Sequence, residues 1–423
     1  MRKPTKLIFN LINYLLLGRL NGEKRNMIYS SVFKDEGKLD LSYVPLKLVH
    51  REKQLNLLYQ FFRLLIESPG EMSHRVLITG KVGTGKTALA QRFGLNLMAE
   101  ARKRGINLNY LHVNCRECKG KFFLILQRVI TAFRPNFPKR GYSTEELLQF
   151  LMEMLDDKNA YLILALDELE SLIAGEGTEA VYKLTRIHES RLGKPSRLSL
   201  ICILREIEYL EKLDESTRST LQKNIIRLEE YSKHQLVDIL RERVKLAFKP
   251  NTVLNEAIEL IAELAELEGG NARYAIELLW RAGKYADANG LFEVIPECVR
   301  EASASVYPTI RKDEIADLDL HEQLLLLGIA RVFQQSAKAY IKTSEAEEAY
   351  AVVCEEYGEK PRKHTQFWNY LRKLSAYGIL RIQASGKGQR GKTSLISLPY
   401  IPASELERLL TIIIEKRVRE RLC

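Results

Sequence analysis

Between residues 75 and 230, short apolar runs alternate with stretches of helical period. Arg75–Thr79, Asn109–Val113, Tyr161–Leu166, Ser199–Leu204 and Asn224–Leu228 are the apolar runs, each bounded by breakers or charges. Continuous rather than alternating apolarity is the signature of strands buried on both faces, as in a parallel sheet. Ala88–Arg104 and Phe122–Ala132 are amphipathic helices between them. The alternation predicts a doubly wound α/β fold with a parallel sheet. After Ser232 the strand signal stops. Leu236–Phe248, Leu254–Leu267 and Ala272–Ala288 read as helices, broken by Lys249-Pro250-Asn251 and Gly269-Gly270. Ser303–Pro308, small and ending in proline, reads as a linker. Beyond Leu318 come three helical stretches, Leu320–Gln335, Thr343–Tyr357 and Lys363–Ala376. Two strands follow, Ile379–Ala384 and Thr393–Leu398, around a glycine-rich tip.

Composition adds little to the fold and something to the function. With 423 residues the chain is long for one domain, and 46% hydrophobic with 28% charged residues excludes disordered or collagen-like classes. The net charge of +11 points to an anionic partner. The six cysteines are too sparse for a disulfide framework, which favours a reducing, cytoplasmic compartment. Cys115 and Cys118 form one C-x-x-C without the second ligand pair that zinc needs, so they read as ordinary thiols. Arg2, Lys3 and Lys6 precede an apolar stretch from Leu7 to Leu17, interrupted by Asn10 and Asn13. It is shorter than the ~20 residues of a membrane span. Its helical period predicts an amphipathic helix that docks on the protein, with membrane-surface contact as the alternative.

The sharpest chemical signal is Gly80-Lys81-Val82-Gly83-Thr84-Gly85-Lys86-Thr87, which follows a strand and opens a helix. Glycines let backbone amides approach phosphate oxygens, and the helix adds its amino-terminal dipole. The nucleotide-binding set is therefore Gly80, Val82, Gly83, Thr84, Gly85, Lys86, Thr87 and Ala88. Lys86 is expected to reach the β- and γ-phosphates, and the Thr87 hydroxyl to ligate Mg²⁺. Downstream, an apolar strand ends in Asp167-Glu168. Asp167 is expected to hold the metal and Glu168 to polarise the attacking water, which makes Lys86, Asp167 and Glu168 the catalytic candidates and ATP or ADP with Mg²⁺ the ligands.

With those motifs in place, the chain resembles an AAA+ ATPase. More narrowly it resembles the archaeal replication initiators related to the largest origin recognition complex subunit and to the cell-division-cycle loader of the replicative helicase. Phe33-Lys34, Tyr43-Val44-Pro45 and His50-Arg51-Glu52 resemble the family's segment beside adenine. Pro138-Lys139-Arg140-Gly141 resembles its initiator-specific insertion, and Gly270-Asn271-Ala272-Arg273 its second sensor. The helical period gives an amino-terminal amphipathic segment at 1–31, and the resemblance, which runs from about Val32 to Leu398, implies an ATPase base at 32–230, a helical lid at 231–308 and a winged-helix domain at 312–423. It also implies that Arg51, Tyr231, Arg243 and Arg273 lie near the nucleotide, with Arg273 reporting the γ-phosphate. Two departures stand out. The fourth strand ends in Arg205, where the family usually has a polar residue such as Asn. Ser216 stands near the usual arginine finger, with Arg218 a displaced candidate. Both imply slow hydrolysis.

The carboxyl-terminal part carries the charge asymmetry. From Glu359 to Leu398 there are nine basic residues against one acidic. Phe367, Leu371 and Leu374 form the apolar face of one helix, with Gln366, Asn369 and Lys373 on another and Arg362 and Lys363 ahead of it. Such a helix suits a major groove, amides toward bases and cations toward phosphates. Lys387, Arg390 and Lys392 sit on the tip between the strands. With Lys139, Arg140 and Gly141 in the ATPase base, these are the expected DNA contacts. The implied partners are duplex origin DNA, the replicative helicase, and other copies or paralogues of the chain, with a nucleoid-associated location. A signalling NTPase, or a regulator whose winged helix does not serve initiation, is the alternative.

Overall fold

The structure, a computed structural model, describes residues 31–138, 140–189, 191, 193–306, 312–384 and 394–422. Five strands form the sheet: β1 (Arg75–Thr79), β2 (Leu108–Asn114), β3 (Tyr161–Asp167), β4 (Leu198–Leu204) and β5 (Ile225–Arg227). Their order is β2-β3-β4-β1-β5 and every pairing is parallel. β3 and β4 are buried along their whole length, as their unbroken apolarity predicts. Period two splits the side chains between two cores. Leu77 faces the layer of Phe122–Phe133 and Thr144–Asp157, together with Ile125 and Leu151. Val76 and Ile78 face the Lys86–Lys103 layer with Phe93, Leu58 and Phe62. Asn224, expected inside the last strand, lies just before it and donates to the Arg75 carbonyl at 3.0 Å.

Lys233–Ala247, Asn255–Leu267, Ala272–Ala288 and Pro296–Val306 make a helical unit with its own core. The fourth helix corrects the sequence reading. Ser303, assigned to a linker, is fully buried, because Cys298, Val299 and Ala302 form an apolar face and small neighbours permit close packing. Tyr307 and Pro308 lie outside the described residues. Val32, Phe33 and Leu39 also belong to this core, although the sequence reading put residues 32–230 in the base. Lys34 N–H bonds the Ala247 carbonyl at 2.7 Å, and Trp280 Nε1 donates to Glu36 at 2.7 Å.

The last unit contains Lys312–Ala316, Leu320–Gln335, Thr343–Glu356 and His364–Ala376. A small antiparallel sheet of β6 (Ile341–Lys342), β7 (Arg381–Ala384) and β8 (Ser394–Ser397) has the order β6-β8-β7. β6 and the helix Ala403–Leu422 were not anticipated. Leu406, Leu410 and Ile414 of that helix, spaced four apart, close the core. Two buried ions join this unit to the lid helices. Arg300, fully buried, donates to the carbonyls of Leu398 (3.0 Å) and Lys338 (3.1 Å) and pairs with Glu297 (2.9 Å). Glu263, 1% exposed, accepts from Lys233 at 3.2 Å and Arg381 at 3.5 Å, and also from Tyr340 and Gln383.

Candidate nucleotide-binding site

The phosphate loop joins β1 to the helix Lys86–Lys103 at the carboxyl edge of the sheet, where parallel α/β folds bind ligands. Gly83 (φ 81°) and Gly85 (φ 89°) adopt left-handed backbone that other residues resist. Gly85 caps the helix without a side-chain bond, so the first amides are not spent on a cap. Lys86 Nζ folds onto the loop's own carbonyls, Gly80 at 2.5 Å and Lys81 at 2.8 Å. Burial lowers its pKa, against the pull of Asp167. The loop borders a cavity of about 540 Å³.

β3 brings Asp167 to the loop. The Thr87 hydroxyl donates to Asp167 Oδ2 at 2.6 Å, and His112 Nε2 lies 3.1 Å from the same oxygen. Burial works to raise the Asp167 carboxyl, but the bonds from His112 and Thr87 outweigh it and hold it below the usual range. A hydroxyl and a carboxylate converging on one point are hard oxygen donors, which fits Mg²⁺. Glu168 follows with φ 52°, and its Oε1 accepts from Arg205 Nη2 at 2.7 Å. Arg205 Nε also lies 3.3 Å from Glu170 Oε1. That contact is an ion pair without hydrogen-bond alignment, and burial raises the Glu170 carboxyl.

The cavity wall contains most of the anticipated residues: Val82, Gly83, Gly85, Lys86, Thr87 and Ala88 from the loop, Asp167 and Glu168 from the strand end, and Arg51, Tyr231, Arg243 and Arg273. Gly80 and Thr84 lie behind the wall, with Thr84 fully buried. Arg51 braces the loop. Its Nε donates to the Thr84 carbonyl at 3.1 Å, Nη2 to the Glu229 carbonyl at 2.6 Å, and its guanidinium lies 3.9 Å over the Tyr231 ring. Arg243 is likewise spent on backbone, donating to the carbonyls of Lys38 (2.7 Å) and Tyr43 (3.2 Å). Arg273 opens its helix exposed at the cavity. Asn271 caps that helix through the amides of Arg273 and Tyr274 at 3.1 Å, and Ala272 N–H bonds the Gly83 carbonyl at 3.2 Å. The lid thus touches the loop directly.

His112, Glu170 and Asn271 were missed as site residues. His112 is reached only because β2 pairs with β3, a neighbourhood no local pattern encodes. Cys115 and Cys118 are buried in the base core, and burial pushes the Cys115 thiol upward.

The expected DNA-facing residues divide. Arg140 and Gly141 are exposed on the turn before Thr144–Asp157, while Lys139 lies outside the described residues. Arg362, Lys363, Gln366 and Asn369 are exposed around the helix His364–Ala376, whose Phe367, Leu371 and Leu374 are buried. Lys373 needs correction. It is exposed like the amides, but its ammonium is paired with Glu322 at 2.9 Å and faces Asp319 at 3.7 Å, so its charge is already compensated within the protein. Lys387, Arg390 and Lys392, like the segment 1–30, lie outside the described residues. Among the described residues no helix is long and apolar enough to cross a membrane.

A phosphate loop, an Asp-Glu strand end, a helical lid bonded to the loop and an appended winged helix define an AAA+ ATPase with a winged-helix domain. Comparison with known families agrees part by part. The AAA domain matches residues 74–213, the Cdc6 AAA+ ATPase-type lid domain 237–304, and the CDC6 C-terminal winged helix domain 313–407. ORC1-type DNA replication protein 2 of Sulfurisphaera tokodaii is 35% identical over 400 residues, covering 93% of this chain and 94% of that protein. The ORC1-type DNA replication protein of Thermococcus kodakarensis is 30% identical, covering 88% and 89%. The crystal structure of Cdc6p from Pyrobaculum aerophilum superposes with a TM-score of 0.78 at 31% identity, covering 92% of this chain and all of that one. The Aeropyrum pernix ORC1 protein, solved in complex with DNA, gives 0.60 at 28% identity, covering 93% and 100%. The chain belongs to the ORC1/Cdc6 family of DNA replication proteins.

Proposed function

We propose that this chain is an ATP-binding replication initiator that grips duplex origin DNA and helps recruit the replicative helicase, acting in the cytoplasm beside other copies or paralogues. The observation that carries the reading is the joining, in one chain, of a lid-bonded phosphate loop to a winged helix with an exposed polar and basic helix. The Lys86 ammonium, now on two carbonyls of its own loop, exchanges them for the β- and γ-phosphates. Thr87 and Asp167 hold Mg²⁺, which supplies charge neutralisation at the phosphates. Arg273 faces the γ-phosphate from the lid, and Arg51, Tyr231 and Arg243 hold the walls. Base contacts come from Gln366 and Asn369. Phosphate contacts come from Arg362, Lys363, the Lys387, Arg390 and Lys392 tip, and the Lys139-Arg140-Gly141 turn.

The Aeropyrum pernix ORC1 complex supports DNA as the partner, since that relative was solved with DNA bound. The alternative of a signalling NTPase whose winged helix packs on its own ATPase domain draws support from the Glu263 contacts, which tie the winged-helix unit to the lid. Those contacts use β7 and Tyr340, however, and leave the helix His364–Ala376 exposed. Fluorescence anisotropy on duplexes across salt concentrations tests the reading. A salt slope that does not fall when Arg362 and Lys363 are replaced by alanine rejects this DNA face.

A further inference from the structure

The end of β4 holds a contact that nucleotide binding does not require. The Arg205 guanidinium reaches two carboxylates at once, Nη2 on Glu168 Oε1 at 2.7 Å and Nε beside Glu170 Oε1 at 3.3 Å. Glu170 is the fixed end of this bridge. Its side chain is 11% exposed, and neither of its oxygens has an aligned hydrogen bond, so the guanidinium supplies its charge compensation. Glu168 is the movable end. It sits at a left-handed backbone position at the start of the helix Leu169–Arg186, with its side chain 24% exposed at the cavity. The Glu168 hydrogen bond, ahead of the opposing effect of burial, raises the Arg205 pKa and keeps the guanidinium charged.

We propose that Arg205 is a positioning residue that restrains hydrolysis by holding the Glu168 carboxylate on itself and away from the attacking water. The inference deepens the reading of this cavity as an ATP site and rests on it. In the reaction, the water oxygen bonds to the γ-phosphorus and the bond to the β–γ bridging oxygen breaks. ADP leaves with that electron pair, and the proton from water passes to Glu168 before release with orthophosphate. Glu168 serves as acceptor only with an oxygen turned toward the water. With Arg205 anchored at Glu170, the ion pair must open first. The slow turnover anticipated for this chain then arises from an occupied base, more than from a missing helper. The sign of the effect separates the two: a missing helper is not restored by deleting Arg205, whereas an occupied base is freed.

The test uses the full chain with ATP and Mg²⁺. Single-turnover hydrolysis and calorimetric nucleotide affinity are measured for the parent, Arg205→Gln, Arg205→Lys and Arg205→Gln with Glu168→Gln. Arg205→Gln should hydrolyse about fivefold faster, the factor for losing a half-exposed ion pair. Its nucleotide Kd should stay within about threefold, since the phosphates are held elsewhere. Arg205→Lys, which keeps the charge and loses the fork, should fall between them. The double variant should lose the gain, because the released turnover passes through Glu168. Unchanged or slower hydrolysis in Arg205→Gln at retained affinity overturns the proposal. So does loss of affinity, which would make Arg205 a nucleotide ligand. If the parent binds no nucleotide that Lys86→Ala abolishes, the ATP reading itself fails and the restraint falls with it.

Discussion

Replacing Gly83 by alanine strains the phosphate loop in two separable ways. At φ 81° the new side chain sits in left-handed backbone, which costs about 1–2 kcal/mol for a residue with a Cβ. The Cβ would also lie 1.9 Å from Asn271 Oδ1 and 3.0 Å from Asn271 Cα. The Asn271 side chain must move, and it is the cap of the helix Ala272–Ala288. Losing a cap costs about 1 kcal/mol. If the loop must recover its native shape to bind phosphates, the sum of about 2–3 kcal/mol weakens ATP affinity roughly 30- to 150-fold. Calorimetry on Gly83→Ala, Asn271→Ala and the pair closes a double-mutant cycle. Asn271→Ala alone should cost about fivefold. Because Gly83→Ala already displaces the cap, the pair should be no weaker than Gly83→Ala by itself. Strictly additive losses would refute the loop–lid contact as the source, and an affinity for Gly83→Ala within about threefold of the parent would refute the strain argument altogether.

Lys86→Ala should abolish measurable ATP binding by calorimetry while leaving the melting temperature nearly unchanged, since its present bonds are to its own loop. In the winged helix, alanine at Lys387, Arg390 and Lys392 together should lower the salt slope of log K by roughly two to three units, at about 0.9 per phosphate contact. Asn369→Ala should relax sequence preference by ~1–3 kcal/mol without changing the slope, and Lys373→Ala should leave DNA binding alone, because its charge is already paired with Glu322. The hydrogen bond from Arg331 holds the Glu356 carboxyl below its usual 4.5, so its stabilisation is complete above that pH and is lost as pH falls through the lowered folded value. Glu356→Gln should therefore flatten the acid limb of melting temperature against pH.

The centre of the base sheet was legible because β3 and β4 are buried on both faces, so that Tyr161–Leu166 and Leu200–Leu204 had to be unbroken apolar runs. The phosphate loop was legible because backbone approach to phosphate demands glycine at fixed spacing. What escaped depends on distance along the chain. Arg205 looked like a lost polar helper, and only the fold shows its guanidinium on Glu168, 37 residues away. Lys373 lies one helical turn after Asn369, and period alone puts both on one face. Its long stem instead swings to Glu322, 51 positions earlier in sequence. Pro296–Val306 was hidden because alanines and serines suit both a linker and a tightly packed helix.

Glu263 governs how the molecule can bend. Its buried carboxylate is shared by Lys233 from the lid and by Tyr340, Arg381 and Gln383 from the winged-helix side. Sliding one unit over the other would leave a charge uncompensated inside protein, a penalty of about 3–5 kcal/mol, so the joint resists gradual rotation. Arg300 pins the same seam from the opposite direction through the carbonyls of Leu398 and Lys338. Lid and winged helix therefore move as one arm. On its base side the lid is held by Ala272 N–H on the Gly83 carbonyl at 3.2 Å and by His50 Nε2, 2.9 Å from Asp238 at a part-exposed position. A rotation at that side would be carried through the arm to the winged helix and would at the same time shift the lid's bond to the Gly83 carbonyl, so the phosphate loop and the winged helix sit on one mechanical linkage.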